Sequence, residues 1–513
     1  MIEVAAESSP AQGILERIGP GHSVFIAGEW VTPGGDEVEV RSPATDEVIA
    51  TVATCDGNDV DRAVAAASAS FEAGEWSGTP LAKRAALFDR VAQILKEDRE
   101  AIATLETLDS GGTIRRTMVD PLSQYFRDIA SLLRRSSEEE GLPYADRPVP
   151  AFSILRRDPV GVCALVTPWN FPALMSAYKL APSIAAGNSV VIKPALEAPL
   201  STIRLVEAFT KAGLPPGVVN LVQGDGPGVG EALVAHPDVR KVSFTGSTAT
   251  GRRVMQLAAA DIKSVTLELG GKSPNVLLDD ADLDEALPGS LFAIFLHSGQ
   301  ICVSGSRLLV PRSMEEEVVE RLVQLASTLK IGDPLDRSTD VGPLISAKQL
   351  ARVRGYIDGA VAEGAAVAAG GTEPPEVEPR LARGHYVRPT ILTGVDNRMT
   401  VAREEVFGPV LAVIPYDDEE EAIALANDSD YGLAAGVWSR SIPRAVNVAR
   451  KLRAGTVWVN EWHMLRHDAP YGGFGQSGIG REHGDYGLAQ YLEPKHIHVS
   501  VAPTPYKVLF GNV

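Results

Sequence analysis

Cysteine is scarce in this chain. Its 513 residues hold three, Cys55, Cys163 and Cys302, an odd set without metal-ligand spacing. That argues against a disulfide framework and a cysteine-bound metal, and fits free thiols in a reducing compartment. Basic residues are the minority, 48 Lys and Arg against 66 Asp and Glu. A net charge of −18 and a pI of about 5.1 argue against a nucleic-acid or anionic-membrane surface. Long apolar runs are missing too: no stretch approaches the roughly 18 residues of a membrane span. The opening Met1-Ile2-Glu3-Val4, followed by Glu7, has neither a basic segment nor an apolar core, so no secretory signal is expected. No internal repeat or low-complexity tract stands out. These absences predict a soluble, cytoplasmic protein with no metal, nucleic-acid or membrane partner.

What is present is an ordinary globular composition, 45% hydrophobic and 22% charged, in a chain long enough for two or three domains. Residues 1–21 read as a loose arm and 24–31 as a small hairpin. Helical patterns follow over 59–76, 81–108 and 121–135. From Val160 the pattern becomes strand and helix in alternation: strands at 160–166, 189–193, 218–222, 239–244 and 264–269, with helices between. That alternation predicts an α/β fold with a parallel sheet covered on both faces, whose ligands sit beyond the carboxyl ends of the strands. A second strand–helix set begins at Asn275, and 364–384 reads as a surface excursion. The segments 151–158 and 487–501 alternate like strands and are expected to pair between subunits.

Three strand ends carry suggestive chemistry. One presents the amide of Asn170 after Thr167-Pro168-Trp169, and another the ammonium of Lys193. The third is a Gly-rich turn, Phe244-Thr245-Gly246-Ser247, leading into a helix N-terminus, a natural seat for phosphate. Each alone reads equally as a tight turn; all three on one sheet favour a dinucleotide site. The one Gly-x-Gly-x-x-Gly match, Gly473 to Gly478, lies outside any strand–helix–strand unit and reads as a Gly-rich loop.

The stretch 266–307 offers a carboxylate, Glu268, and a thiol, Cys302, joined by a strand, an acidic turn and an apolar helix. A thiol is the strongest ordinary nucleophile near neutral pH and a carboxylate can act as its base, although a lone cysteine among apolar residues is as a rule inert. Glu268-Leu269-Gly270-Gly271-Lys272 and Gly299-Gln300-Ile301-Cys302, in this order, resemble the two active-site signatures of the aldehyde dehydrogenase superfamily. The resemblance runs from Phe25 to about Val499. It implies a Rossmann-like cofactor domain (1–140 and 161–270), an α/β catalytic domain (271–465) and a small β oligomerisation arm (141–160 and 486–503), in a homodimer or homotetramer.

It implies the following chemistry. Cys302 attacks an aldehyde carbonyl to give a thiohemiacetal, while the Asn170 amide and the Cys302 backbone N–H hold the oxyanion. Hydride passes to a nicotinamide, and Glu268 activates the water that hydrolyses the resulting thioester. Glu482 matches a position implicated in proton relay. Lys193 is placed on the adenosine ribose, and Gly226, Gly230, Phe244, Gly246 and Ser247 around adenine and pyrophosphate. Glu405, Phe407 and Gln349 are placed at the nicotinamide end, with Thr167, Pro168, Trp169 and Leu269 as the wall. Phe171, Met175, Ile301, Val303, Trp462 and Met464 would line the substrate tunnel, which suggests an apolar aldehyde. His463, Arg466 and His467 would instead suit an acidic one, or are plain surface charge.

Three positions depart from the family pattern. Leu196 stands where NAD-preferring members often carry Glu, which leaves NADP open with a lean to NAD. His297 stands where Asn is common, and Gly475 where Lys is common. Two other readings remain: an acylating enzyme that passes the thioester to coenzyme A, against which Glu268 counts, and a non-catalytic scaffold.

Overall fold

The computed structural model describes residues 23–119, 121–145 and 151–501. The expected arm at 1–21 lies outside them, as do 146–150 and 502–503 of the expected oligomerisation arm. Two large sheets organise the chain. The first has eight strands, in the order Gly478–Ile479, Ser264–Glu268, Lys241–Thr245, Val162–Val166, Ser189–Lys193, Val219–Leu221, Val24–Ile26 and Glu29–Val31. Its five central strands run parallel, while the edge pairings are antiparallel. Strands Ser189–Lys193 and Lys241–Thr245 are buried at every position, as helices on both faces require.

The second sheet has seven strands, in the order Ala366–Ala369, Thr390–Thr393, Val410–Tyr416, Arg307–Pro311, Pro274–Leu277, Ala434–Trp438 and Thr456–Val459. All its pairings are parallel except that of the first strand. Part of the expected surface excursion at 364–384 is therefore an edge strand. No helix among the described residues is long and apolar enough to cross a membrane.

Two expectations change in detail. The segments expected to pair between subunits pair with each other inside one chain, in register from Leu492 opposite Pro159 to Ser500 opposite Ala151. With Glu139–Ala145 they form a three-stranded antiparallel sheet. Alternation reveals a strand but not its partner. The Gly-rich loop at 473–478 ends as the edge strand beside Glu268: a Cβ on Gly478 (φ +144°) would lie 2.0 Å from Leu267 O, so only glycine allows that approach.

A buried ion pair ties the helical layer to the helix that follows Asn170. Arg116 donates to Glu106 Oε1 at 3.0 Å, both side chains being almost fully buried. Glu106 Oε2 accepts from Ala173 N at 3.1 Å and Ser201 Oγ at 3.3 Å, which fixes the start of helix Pro172–Ala186 just after Asn170. Glu106→Leu strands a buried guanidinium and is expected to cost about 3–5 kcal/mol, read as a lowered urea midpoint. A loss under about 1 kcal/mol would mean that the guanidinium relaxes into solvent.

Candidate active site

The thiol is delivered by a sharp reversal. Helix Leu283–Phe295 begins at Asp282, whose carboxylate accepts from Asp284 N, and ends before three residues with left-handed backbone: His297 (φ 49°), Ser298 (φ 55°) and Gly299 (φ 71°). A Cβ on Gly299 would sit 2.1 Å from Gly408 O. Gln300 pins the turn, its Oε1 accepting from Ile345 N at 2.9 Å and its Nε2 donating to His297 O at 3.2 Å. The chain thereby returns to the end of strand Ser264–Glu268, and a Cβ on Gly271 would meet Cys302 O at 2.4 Å. The two segments singled out in the sequence are packed backbone against backbone.

Glu268 is buried at the strand end, and neither carboxylate oxygen has a hydrogen-bond partner. Burial holds it well above the ordinary carboxylate range; the Glu482 charge adds to this, while Lys179 and Arg481 oppose it. Lys179 Nζ donates to Glu482 Oε1 at 2.6 Å and to Ser243 Oγ at 3.2 Å. Cys302 is pushed up to about 12, chiefly by burial. Its Sγ lies 3.5 Å from Tyr471 Oη. Asn170 Nδ2 donates to Gln300 O at 2.8 Å, which places this amide on the segment that carries the thiol.

A cavity of about 990 Å³ runs past Cys302. Its walls include Phe171, Met175, Ile301 and Val303, and also Trp169, Leu269, Gln349, Glu405 and Phe407. Trp462 is the exception among the expected tunnel residues: it is buried behind the thiol segment, its indole N–H donating to Val303 O at 3.0 Å. Met464 does line the cavity. Of the three basic residues expected to suit an acid, His463 is pulled down to about 4 by burial and His467 Nδ1 lies 2.7 Å from Asp128 Oδ2. Arg466 pairs with Asp468 at 2.7 Å.

A second cavity of about 600 Å³ meets the first at Ala249. Its walls include Thr167, Lys193, Gly226, Gly230 and Phe244, with Leu196 and Glu197 beside them. Burial pulls Lys193 down to about 8 against the nearby Glu197 and Asp225, and its Nζ donates to Pro194 O at 3.0 Å. Helix Thr248–Ala259 starts between the cavities, capped by Ser247, whose Oγ accepts from Thr250 N at 3.2 Å. Two glycines make room for side chains of the cavity walls: a Cβ on Gly246 would meet the Phe244 ring at 2.6 Å, and one on Gly270 would meet Glu405 Oε2 at 2.4 Å. Glu405 Oε1 accepts from Gly271 N at 3.0 Å, and burial pushes this carboxyl up to about 7. Trp169 and Phe407 meet edge to face, with centroids 5.3 Å apart. Two cavities that share Ala249, a helix N-terminus at that point, and the carboxylates of Glu197 and Glu405 among their respective walls fit a dinucleotide.

Tyr471, Lys179, Arg116 and Glu106 were not foreseen. Lys179 had a visible signal, as the only charged residue of the apolar helix Pro172–Ala186. Tyr471 reaches Cys302 across 169 residues, and local pattern carries no trace of that.

Fold and site together define a class: a two-sheet α/β protein with a thiol lining a large cavity, a buried carboxyl at the strand end packed against the thiol segment, and a second cavity beside a helix N-terminus. The chain belongs to the aldehyde dehydrogenase family, whose model matches residues 30–497. It is 40% identical over 485 residues to a betaine aldehyde dehydrogenase of Bacillus subtilis, covering 94% of this chain and 98% of that one. Among solved structures it resembles the betaine aldehyde dehydrogenase of Staphylococcus aureus in complex with NAD+, with a TM-score of 0.92, 40% identity and coverage of 96% and 98%. It also resembles an NAD+ complex of an aldehyde dehydrogenase from Bacillus cereus, with a TM-score of 0.91, 42% identity and the same coverages.

Proposed function

We propose that this protein oxidises an uncharged, largely apolar aldehyde to its carboxylic acid with NAD, through a thioester on Cys302. The observation that carries the reading is the packing of the Glu268 strand end directly against the Cys302 loop. When bound, the nicotinamide supplies the hydride acceptor. Lys193, Ser247 and the backbone at Gly246 would hold the adenosine and pyrophosphate, and Glu405, Gln349 and Phe407 the nicotinamide end.

The remaining work falls to the chain's own groups. Cys302 sulfur adds to the carbonyl carbon. The second N–H of the Asn170 amide, whose first bonds Gln300 O, and the Cys302 backbone N–H stabilise the alkoxide that forms. Glu268 takes the proton from the water that cleaves the thioester, and its unbonded oxygens leave it able to do so. Phe171, Met175, Ile301 and Val303 exclude bulk water around the acyl chain. His463 and His467 offer little to an acidic tail, one being neutral and the other engaged by Asp128. Transfer to coenzyme A is the weaker reading, because Glu268 is present. Free buried thiols at Cys55 and Cys163 support a cytoplasmic location, and the exposed outer edges of the three-stranded sheet support a homodimer or homotetramer.

The test is the appearance of reduced nicotinamide with NAD or NADP and aliphatic, aromatic, quaternary-ammonium or semialdehyde substrates, without coenzyme A. Turnover of uncharged aldehydes with NAD is expected; silence across the panel with cofactor bound would favour the scaffold reading. Leu196→Glu adds a carboxylate to the adenosine-end cavity, which repels a ribose 2′-phosphate. It should raise the preference for NAD over NADP by about tenfold or more, close to 1.4 kcal/mol. An unchanged ratio would mean that position 196 does not face the ribose.

A further inference from the structure

The Cys302 thiol occupies a poor place for a nucleophile. Burial raises it most, and the Glu405 and Glu268 carboxylates push in the same direction. Activated cysteines usually have a cation, a metal or a helix N-terminus beside them. After burial, the largest influences on this sulfur are Tyr471, the two carboxylates and the cysteine's own N–H, and no cation is among them.

Tyr471 is held from two sides. Its ring is buried and stacks on His483, with centroids 5.5 Å apart and planes inclined by 23°. Its backbone exchanges hydrogen bonds of 2.9 and 2.7 Å with Glu482, the residue that Lys179 anchors. The hydroxyl has little freedom, and it points at the sulfur from 3.5 Å.

We propose that Tyr471 is a catalytic residue, whose phenol O–H donates a hydrogen bond to Cys302 sulfur and stabilises the thiolate that attacks the aldehyde. This rests on Cys302 being the nucleophile. The phenol keeps its proton throughout, and the thiol proton is lost to solvent. Burial, then the neighbouring thiol and Glu268, hold Tyr471 well above the ordinary phenol value, so it stays a donor when the sulfur ionises. A hydrogen bond to an ionised acceptor is roughly twice as strong as a neutral one, so the contact favours thiolate over thiol.

Tyr471→Phe keeps the ring and its stacking and removes only the hydroxyl. Alkylation of Cys302 by iodoacetamide, followed by peptide mass across a pH series, reads thiolate without any turnover. The midpoint should move up by about one unit, making alkylation at neutral pH about tenfold slower. The pH profile of kcat/KM should move the same way, while NAD affinity is unchanged. Incorporating 3-fluorotyrosine at position 471, a more acidic phenol, should move the midpoint down. A midpoint unmoved in Tyr471→Phe, or moved up by fluorotyrosine, overturns the proposal, since a ring that merely packs gives neither shift. Oxidation that survives in Cys302→Ala sinks the underlying reading and this role with it. Loss of oxidation there, with an unmoved midpoint in Tyr471→Phe, sinks the Tyr471 role alone.

Discussion

Replacing Glu268 with Gln should leave an enzyme that completes about one oxidation per site and then stalls. The substitution keeps the side chain's volume in its buried position while removing the carboxylate packed against the thiol segment, the base for the hydrolytic water. General base catalysis contributes about 10²–10⁴-fold, so steady-state turnover should fall by that order while the first release of reduced nicotinamide persists as a burst. Mass spectrometry of the stalled protein should find the acyl group on the peptide containing Cys302. The pH dependence follows from the direction of the shift. Burial and the Glu482 charge raise the folded-state value of Glu268 above that of a free carboxyl. The ionised, basic form therefore grows as pH rises, and deacylation in the native enzyme should speed up towards alkaline pH. Glu268→Gln should abolish that rise. A steady rate close to wild type, with no adduct, would remove Glu268 from the role of base.

The parts of this site that were legible in the sequence are those that strand ends present. Lys193 and Glu268 end strands of one sheet and Asn170 and Ser247 follow two others, and parallel strands put their carboxyl ends at one edge whatever connects them. The approach of Cys302 to Glu268 was legible as order and spacing, through the family resemblance. What stayed hidden depends on dihedral angles and on partners far away in the chain. Trp462 follows a strand in a loop that carries other cavity residues, but Asn460 (φ 55°) and His463 (φ 69°) reverse the backbone and turn the indole behind Val303. The strands at 151–159 and 492–500 were recognisable by alternation, yet alternation is the same for a partner in one's own chain and in another. The Arg116–Glu106 pair joins two helical segments whose charges look solvated in a one-dimensional pattern, and only the packing of helix Pro172–Ala186 over them removes the water.

That packing also shows why the site tolerates so many buried ionisable groups. Glu106 is answered by Arg116 and a helix N-terminus, and Glu482 by Lys179. Glu405 has only the Gly271 N–H as a hydrogen-bond partner, with Lys272 and Arg352 nearby, and Glu268 has no partner at all. Glu405 lines the larger cavity and Glu268 ends the strand packed against the thiol segment, whereas Asp109, which also keeps one unpartnered oxygen, lies in the helical layer outside both cavities. An unsatisfied buried carboxylate is expensive, and at Glu268 the cost falls beside the nucleophile.

The largest effect should come from Cys302 itself. Cys302→Ala removes the only cysteine thiol that lines either cavity, and loss of a nucleophile of this kind costs on the order of 10⁶-fold in turnover. Neither remaining thiol offers a detour: Cys55 and Cys163 are buried in the cofactor-side core, each pushed up to about 12 chiefly by burial, and neither lines either cavity. The substitution shortens a side chain without touching the Gln300 bonds that hold the turn, so the fold and the dinucleotide cavity should persist. NAD binding, measured by titration calorimetry, should then stay within about twofold of wild type, a difference of about 0.4 kcal/mol. Oxidation, the burst and the acyl adduct should all disappear together. If reduced nicotinamide still forms at a tenth or more of the native rate, hydride leaves from a free aldehyde hydrate and no covalent step is needed. If binding collapses as well, the thiol loop is part of the cofactor's support, and the division of labour between the two sheets is closer than their separate strand sets imply.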